Sequence, residues 1–274
     1  MKSIPVEIFR CPVCHKQACI DNNESRLTCS VCKADFDIHN GIPILLDKSK
    51  SPYLYKLYLE QKSDTWESID TKEIGFSHFQ LEDRNVFNKI VNFLIYPYRS
   101  VKFPPSFIDL HERYSSGGHV LSLGGGSTSP DLPGWINMDI SSYTTVDCVG
   151  DACNLPFNDK TFSLIVSNST LEHVELYRDV IDECQRVLKE DGYLYICVPQ
   201  LAGRHHTRDF WRWTLPGLRY TLKKFEIIEE GVRVGPGMFA AHLLEAIVIG
   251  AFPRPKILCE ILRSLMLWFA LPLR

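Results

Sequence analysis

His119-Val120-Leu121-Ser122-Leu123-Gly124-Gly125-Gly126-Ser127-Thr128 is the stretch whose reading decides the fold. Val120 to Leu123 reads as a short, largely apolar strand, and a glycine-rich turn follows at once. Beyond it, Trp135-Ile136-Asn137-Met138-Asp139 reads as a second strand ending in an acid. This order is the opening of a nucleotide- or nucleoside-binding α/β domain. Glycines let the backbone approach a ligand and adopt positive φ, and an acid at the tip of the second strand can accept from ribose hydroxyls. Taken alone, Gly-Gly-Gly-Ser is equally the composition of an ordinary loop.

The chain downstream extends the pattern. Asp147-Cys148-Val149-Gly150-Asp151-Ala152 leads into Asn154-Leu155-Pro156-Phe157, and Ser163 to Asn168 is another strand. Ser169-Thr170-Leu171-Glu172-His173-Val174 follows, then a helix predicted over 174–189, a stop at Asp191-Gly192, and a strand over 193–198. From about 119 to 200 the sequence resembles the class I S-adenosylmethionine-dependent methyltransferases, in the group with an acid before L-P-F and a later L-E-H. The resemblance implies a Rossmann-like α/β sheet with helices on both faces. One departure stands out. Thr128 occupies the place of a third loop glycine, and 130–134 replaces the usual helix of several turns with something short. The pairs 224–229 and 232–234 are expected to be the last strands, the antiparallel edge that this fold usually carries.

Cys11-Pro-Val-Cys14 and Cys29-Ser-Val-Cys32 stand fourteen residues apart, the spacing of a four-thiolate zinc site. Four sulfurs close a tetrahedron, so the site reads as structural. Cys19 is a spare thiol, and His15 is a ligand only if one cysteine is not. Ala34 to Leu46 alternates apolar and polar residues and turns at Asn40-Gly41. The unit from about 8 to 47 is similar to the small zinc-ribbon family best known as activator subunits of methyltransferases, with Asn40 as a mild departure from its D-G-I-P run. The expected organisation is a β-rich zinc ribbon over 1–47, a helical linker or lid over 48–118 with helices near 52–60 and 86–95, the S-adenosylmethionine-binding domain over 119–237, and an apolar helical extension over 238–274.

With 30 Lys and Arg against 33 Asp and Glu and a pI near 6.3, the chain lacks a strong nucleic-acid footprint. The start carries no apolar core of signal-peptide length, and ten cysteines without a secretion signal predict a reducing, cytoplasmic setting. The tail from 257 to 271 carries Glu260 and Arg263 and is short for a membrane span. It suits an interfacial helix touching a membrane surface, a homodimer face, or a hairpin packed on the domain itself.

The methyltransferase resemblance implies roles for single residues. Gly124 and Gly126 approach the amino-acid part of the cofactor, Asp139 takes the ribose hydroxyls, and Asp151 with Ala152 reads the adenine edge. Asn168 ends a strand at the carboxyl edge where ligands sit. Asp139 and Asp151 are alternatively N-cap or turn acids. His173 follows the fourth strand, in a stretch that faces the reaction centre in the family. His205-His206-Thr207-Arg208-Asp209-Phe210-Trp211-Arg212-Trp213 gathers imidazoles, arginines and aromatics where acceptor-binding insertions commonly sit. His205 and His206 can take a proton from a hydroxyl near neutral pH. Arginine forks hold phosphate or carboxylate, and the run is similar to those of methyltransferases associated with glycan assembly. A packed aromatic corner is the other reading. The expectation is therefore methyl transfer from S-adenosylmethionine to a small polar or sugar- or lipid-linked acceptor, beside a structural Zn2+. The alternatives are an RNA base methyltransferase with a zinc module, and a non-catalytic binding or scaffold protein.

Overall fold

The computed structural model describes residues 5–17, 20–22, 26–50, 106–141, 143, 145–204 and 208–232. The helices expected near 52–60 and 86–95, His205, His206 and the apolar extension lie outside these residues. Strands β1 (Ile20–Asn22), β2 (Arg26–Cys29), β3 (Asp35–His39) and β4 (Ile42–Leu45) come first. Helix α1 (Phe107–Tyr114), β5 (His119–Leu123), β6 (Trp135–Asp139), β7 (Cys148–Gly150), β8 (Phe162–Asn168), helix α2 (Tyr177–Val187), β9 (Leu188–Cys197) and helix α3 (Leu215–Thr221) follow. They form one nine-stranded sheet in the order β1-β2-β3-β4-β7-β6-β5-β8-β9.

The sheet has two halves of different character. From β7 to β9 all pairs are parallel, and the order reverses between β5 and β8. This is the Rossmann-like order, with its switch point beside the glycine loop. From β1 to β4 the pairs are antiparallel. Asn40 and Gly41 both take positive φ, 51° and 77°, as a two-residue hairpin turn between β3 and β4 requires. The halves join where β4 lies parallel to β7, with Ile44 opposite Val149 and Leu45 opposite Gly150.

The ribbon also shares its core with the parallel sheet. Phe9 stacks on Phe157 at 5.8 Å between ring centroids, and Phe157 meets Phe162 edge-on at 4.9 Å. All three rings are buried in one cluster with Leu27, Phe36 and Leu45. The main chain follows suit: Arg10 N donates to Pro156 O and Asn158 N to Ile8 O. The ribbon and the parallel strands accordingly fall into one compact unit, together with 204–225. The second unit is described only at Ser106, 201–203 and 226–232, which hold no helix or strand.

The first crossover is as compressed as the sequence suggests. A single 3-10 turn, Gly126–Thr128, stands where a helix is usual. Trp135 fills the space, its Nε1 donating to Ser129 Oγ at 2.9 Å. Phe107 and His111 of α1 pack on its ring, so the helix before β5 covers the face that the missing one leaves open.

Two expectations are corrected. The helix expected over 174–189 is the turn Leu171–His173 followed by α2, which stops at Val187. Lys160 N and Thr161 N take the carbonyls of Arg186 and Val187, satisfying from outside two of the acceptors at the helix end. β9 then starts at Leu188, and its register on β8 skips from Phe162↔Leu188 to Leu164↔Tyr193, looping 189–192 out of the ladder. The strand expected over 224–229 is also absent. Phe225 closes the turn after α3, its N bonded to Leu222 O, and packs on the core. Ile227 and Ile228 are exposed and have no strand to pair with among the described residues. No helix among the described residues is long and apolar enough to cross a membrane.

Because Phe9 is a ribbon residue seated in the common core, Phe9→Ala should cost about 3–5 kcal/mol, the usual range for a buried phenylalanine. Circular dichroism and ribbon-specific cysteine reactivity during denaturant unfolding should move to lower denaturant together. A ribbon transition that shifts alone would count against the shared core.

Candidate functional sites at the four cysteines and the carboxyl edge

The four cysteines converge as their spacing requires. Their sulfurs lie within 4.8 Å of one another, with Cys11–Cys32 and Cys14–Cys29 both at 3.7 Å. A tetrahedron with zinc–sulfur bonds of about 2.3 Å has edges of about 3.8 Å. The two 3.7 Å pairs match it, and the widest separation, within 4.8 Å, needs only a small inward shift for the donor set to suit zinc. Each knuckle closes in the same way. His15 N donates to Cys11 O and Lys33 N to Cys29 O, and both residues sit at positive φ, 60° and 61°. His15 is no ligand: its Nδ1 is 2.7 Å from Arg10 Nη2 and its Nε2 3.1 Å from Lys50 Nζ. Burial pushes the Cys11 thiol well above its ordinary range, so a cation is what makes four thiolates tolerable there. Cys19 lies outside the described residues.

At the carboxyl edge the glycine loop is held from three sides. Gly124 takes φ 68°, and a Cβ there would fall 2.3 Å from Thr170 Cγ2. Thr170 Oγ1 donates to Leu123 O at 3.0 Å, bridging the switch point from β8 to β5. A Cβ at Gly125 would meet Ser122 Oγ and Asn137 Oδ1. At Gly126, φ 50°, it would meet nothing closer than Tyr143 at 3.8 Å. The loop is thus tight at its base and open at its tip, above the acid.

That acid, Asp139, binds the loop directly. Its Oδ2 accepts from Gly126 N at 3.0 Å and its Oδ1 from Ser141 N at 2.9 Å. Desolvation pushes its carboxyl above the ordinary value, and the amides of Ser141, Gly126 and Ile140 pull it back. On the next strand outward, Asp151 caps its own turn, Oδ1 accepting from Cys153 N at 2.9 Å, with Ala152 packed on the core. Asn168 ends β8 opposite Cys197, and Ser169 beyond it takes φ 56°. These residues share the carboxyl ends of neighbouring parallel strands.

Asn137 does work that the sequence reading passed over. It is buried in β6, and its Nδ2 donates to Gly126 O at 2.9 Å and Thr145 O at 3.0 Å. Thr145 Oγ1 also donates to Gly126 O. The available signal was a carboxamide in the middle of an otherwise apolar strand.

The run after β9 folds back on the L-E-H turn. Phe210 N donates to Glu172 O at 2.8 Å, and His173 Nδ1 lies 2.7 Å from Arg208 O. Trp211 Nε1 reaches Val174 O, and Tyr177 meets Trp211 and Trp213 edge-on at 5.1 and 5.5 Å. Trp213 is 7% exposed, whereas Phe210 and Trp211 keep 43% and 38% of their surface open. Asp209 grips Arg212 through both of its oxygens. The stretch is therefore a packed corner that also presents two aromatic faces and a held guanidinium.

Behind this corner Glu172 is 1% exposed, and neither carboxyl oxygen has a hydrogen-bond partner. Burial pushes its pKa up from 4.5 to about 7; Asp209 adds to the rise and Arg212 opposes it. The folded protein keeps a proton that the unfolded chain gives up from pH 4.5 onward, so the stability present below that pH is lost as pH rises through about 7.

Residues 133–196 match a family model described as a methyltransferase domain. A UPF0434 protein of Pasteurella multocida is 38% identical over 52 residues, 19% of this chain and 87% of that protein. A UPF0434 protein of Coxiella burnetii is 35% identical over 54 residues, 20% of this chain and 96% of that one. Among solved structures, one is a complex of the Haloferax volcanii Trm112 methyltransferase activator with a protein described as a methyltransferase. It is 20% identical with a TM-score of 0.36, covering 41% of this chain and 63% of that one. Another is Haemonchus contortus phosphoethanolamine N-methyltransferase 2 with S-adenosyl-L-methionine, 18% identical with a TM-score of 0.40, covering 71% and 49%. The chain thus spans under two thirds of either structure's length.

Two measurements test these sites. Cys29→Ser, or a strong chelator, should release one zinc per chain and expose the ribbon core to proteolysis; a ribbon that stays resistant after metal loss would refute the four-cysteine centre. Glu172→Gln should remove the stability loss between pH 5 and 8, leaving the variant ahead of the parent at pH 8 by on the order of 3 kcal/mol and level with it at pH 5. Parallel pH profiles for the two proteins would show that Glu172 titrates normally.

Proposed function

For a chain that belongs to the UPF0434 family over its N-terminal ribbon and carries a class I methyltransferase domain behind it, we propose transfer of a methyl group from S-adenosylmethionine to a small polar or sugar- or lipid-linked acceptor. The observation that carries this reading is the bond from Gly126 N to Asp139 Oδ2, between the loop after β5 and the end of β6 and beside the switch point of the parallel sheet. It puts an acid and a glycine loop open at its tip on adjoining strands, the two parts that a nucleoside with an amino-acid tail needs.

In this reading Gly124 and Gly126 bring backbone against the amino-acid part. Asp139, already accepting from the Gly126 and Ser141 amides, is placed to take a ribose hydroxyl as well. Asp151, its Oδ1 held by Cys153 N, reads the adenine amine, with the Ala152 amide beside it. Asn168 lines the floor between them. Bound S-adenosylmethionine supplies a methyl group on a sulfonium, an electrophile strong enough that alignment of the acceptor is the chief requirement.

Alignment falls to the corner after β9. Phe210 and Trp211 offer exposed rings on which a sugar or ring can lie, while the Arg212 fork is taken up by both Asp209 oxygens and holds the corner in shape. His173 is oriented by Arg208 O. Together with His205 and His206 it supplies imidazoles that can take a proton from an acceptor hydroxyl.

Calorimetric titration of the zinc-loaded chain with S-adenosylhomocysteine tests the reading. Micromolar binding is expected, weakened about tenfold or more in Asp139→Ala and Asp139→Asn, with circular dichroism verifying that both variants fold. A folded parent that takes up no ligand would favour a binding or scaffold role instead.

A further inference from the structure

The zinc knuckle and the turn that carries Asp151 meet in one side chain. Asn154 Nδ2 donates to Pro12 O at 2.9 Å, a carbonyl lying between the ligands Cys11 and Cys14. Its Oδ1 accepts from Arg10 Nη2 at 3.3 Å. The backbone of the same residue closes the acid's turn: Asn154 N donates to Asp151 O at 3.0 Å, and the two residues form an isolated antiparallel bridge. The carboxamide is thus spent on the metal knuckle and the peptide on the proposed adenine turn.

The turn has little freedom to give. Upstream, Gly150 pairs with Leu45, and a Cβ there would lie 2.7 Å from Met138 Sδ. Downstream, Leu155 N donates to Glu183 Oε2 at 2.8 Å, and Arg186 Nη2 donates to Leu155 O at 2.9 Å. Arg10 N holds Pro156 O at 3.1 Å. A segment clamped in this way does not absorb a shift of the knuckle by bending, because packed elements have few intermediate arrangements. The knuckle is equally constrained on its side, since the positive φ of His15 and its bond to Cys11 O set the peptide that Pro12 O belongs to.

We infer that Asn154 is a positioning residue that links occupancy of the four-cysteine site to affinity for the cofactor's adenine end. Metal draws Cys11 and Cys14 together and aims Pro12 O at Asn154, and Asn154 holds Asp151 in place. Linkage is reciprocal, so a ligand that fixes the Asp151 turn must tighten the metal site by the same factor. The inference rests on the cofactor reading above and adds to it a route and a residue.

The test uses the full zinc-loaded chain and a chromophoric chelator that competes for zinc, with and without saturating S-adenosylhomocysteine. The expected result is zinc held about fivefold more tightly with the ligand present, within the usual range of coupling. Asn154→Asp keeps the size of the side chain and an acceptor for Arg10 but has no N–H for Pro12 O. It should bring the coupling factor close to one while S-adenosylhomocysteine still binds. Asn158→Ala is the control, because it deletes another ribbon bond, Asn158 Nδ2 to Glu7 O at 2.7 Å, without touching the knuckle. It should keep the fivefold factor. Ligand that binds yet leaves zinc retention unchanged overturns the inference and spares the cofactor reading. Coupling that persists in Asn154→Asp also overturns it, since it would then arise from unfolding of the whole unit. Failure of the parent to bind S-adenosylhomocysteine removes both.

Discussion

The parallel pairing of β4 with β7 is the constraint on which the rest of the molecule depends. A strand as short as Cys148–Gly150 at the border of a parallel sheet would otherwise present unpaired amides and carbonyls to water or to another chain. β4 takes up that edge, and in doing so brings Phe9 against Phe157 and the first knuckle against Asn154. A ribbon this small has little core of its own. It gains a core by continuing the larger one, and the larger one gains a closed border.

The same junction explains why the segment from Asp151 to Asn158 is so heavily bonded. One side is met by the main chain of Glu7 to Arg10, the other by Glu183 and Arg186 of α2. Arg10 and Glu183 also approach each other at 3.8 Å. Arg186, Glu183 and Asp159 form a network of partly buried charges in which each arginine hydrogen has an acceptor close by. Ionic contacts of this kind add little net stability, but they fix the direction in which a loop leaves its strand.

Legibility in the sequence followed the range of the interactions. The C-x2-C pairs, the Asn40-Gly41 turn and the strand Trp135–Asp139 with its terminal acid rest on contacts within a few residues, and all stand in the structure where they were expected. The end of α2 was misjudged because it is set by Lys160 and Thr161, which come from a distant part of the chain. The strand expected over 224–229 failed for a related reason. The edge was expected from the fold that the sequence resembles, but a strand also needs a neighbour, and Phe225 is claimed by α3 and the core instead. At the site, glycines and acids announce themselves by type. Asn137, Thr170 and Asn154 do not, because each acts by bonding to backbone far away in sequence. The Arg208–Trp213 run drew notice for its chemistry. Its packing on Glu172 and Tyr177 emerges only from the fold.

The distance along the chain between β4 and β7 has a consequence for biosynthesis. Ile44 and its partner Val149 are separated by about a hundred residues, so at ordinary translation rates the ribbon leaves the ribosome roughly 5–20 s before its docking strand exists. During that interval Phe9 and Leu45 have no sheet to enter, and the ribbon's hairpins are held by their own antiparallel ladders and the four converging cysteines. Any delay in closing the sheet would therefore be met as a nascent chain with an uncovered apolar face.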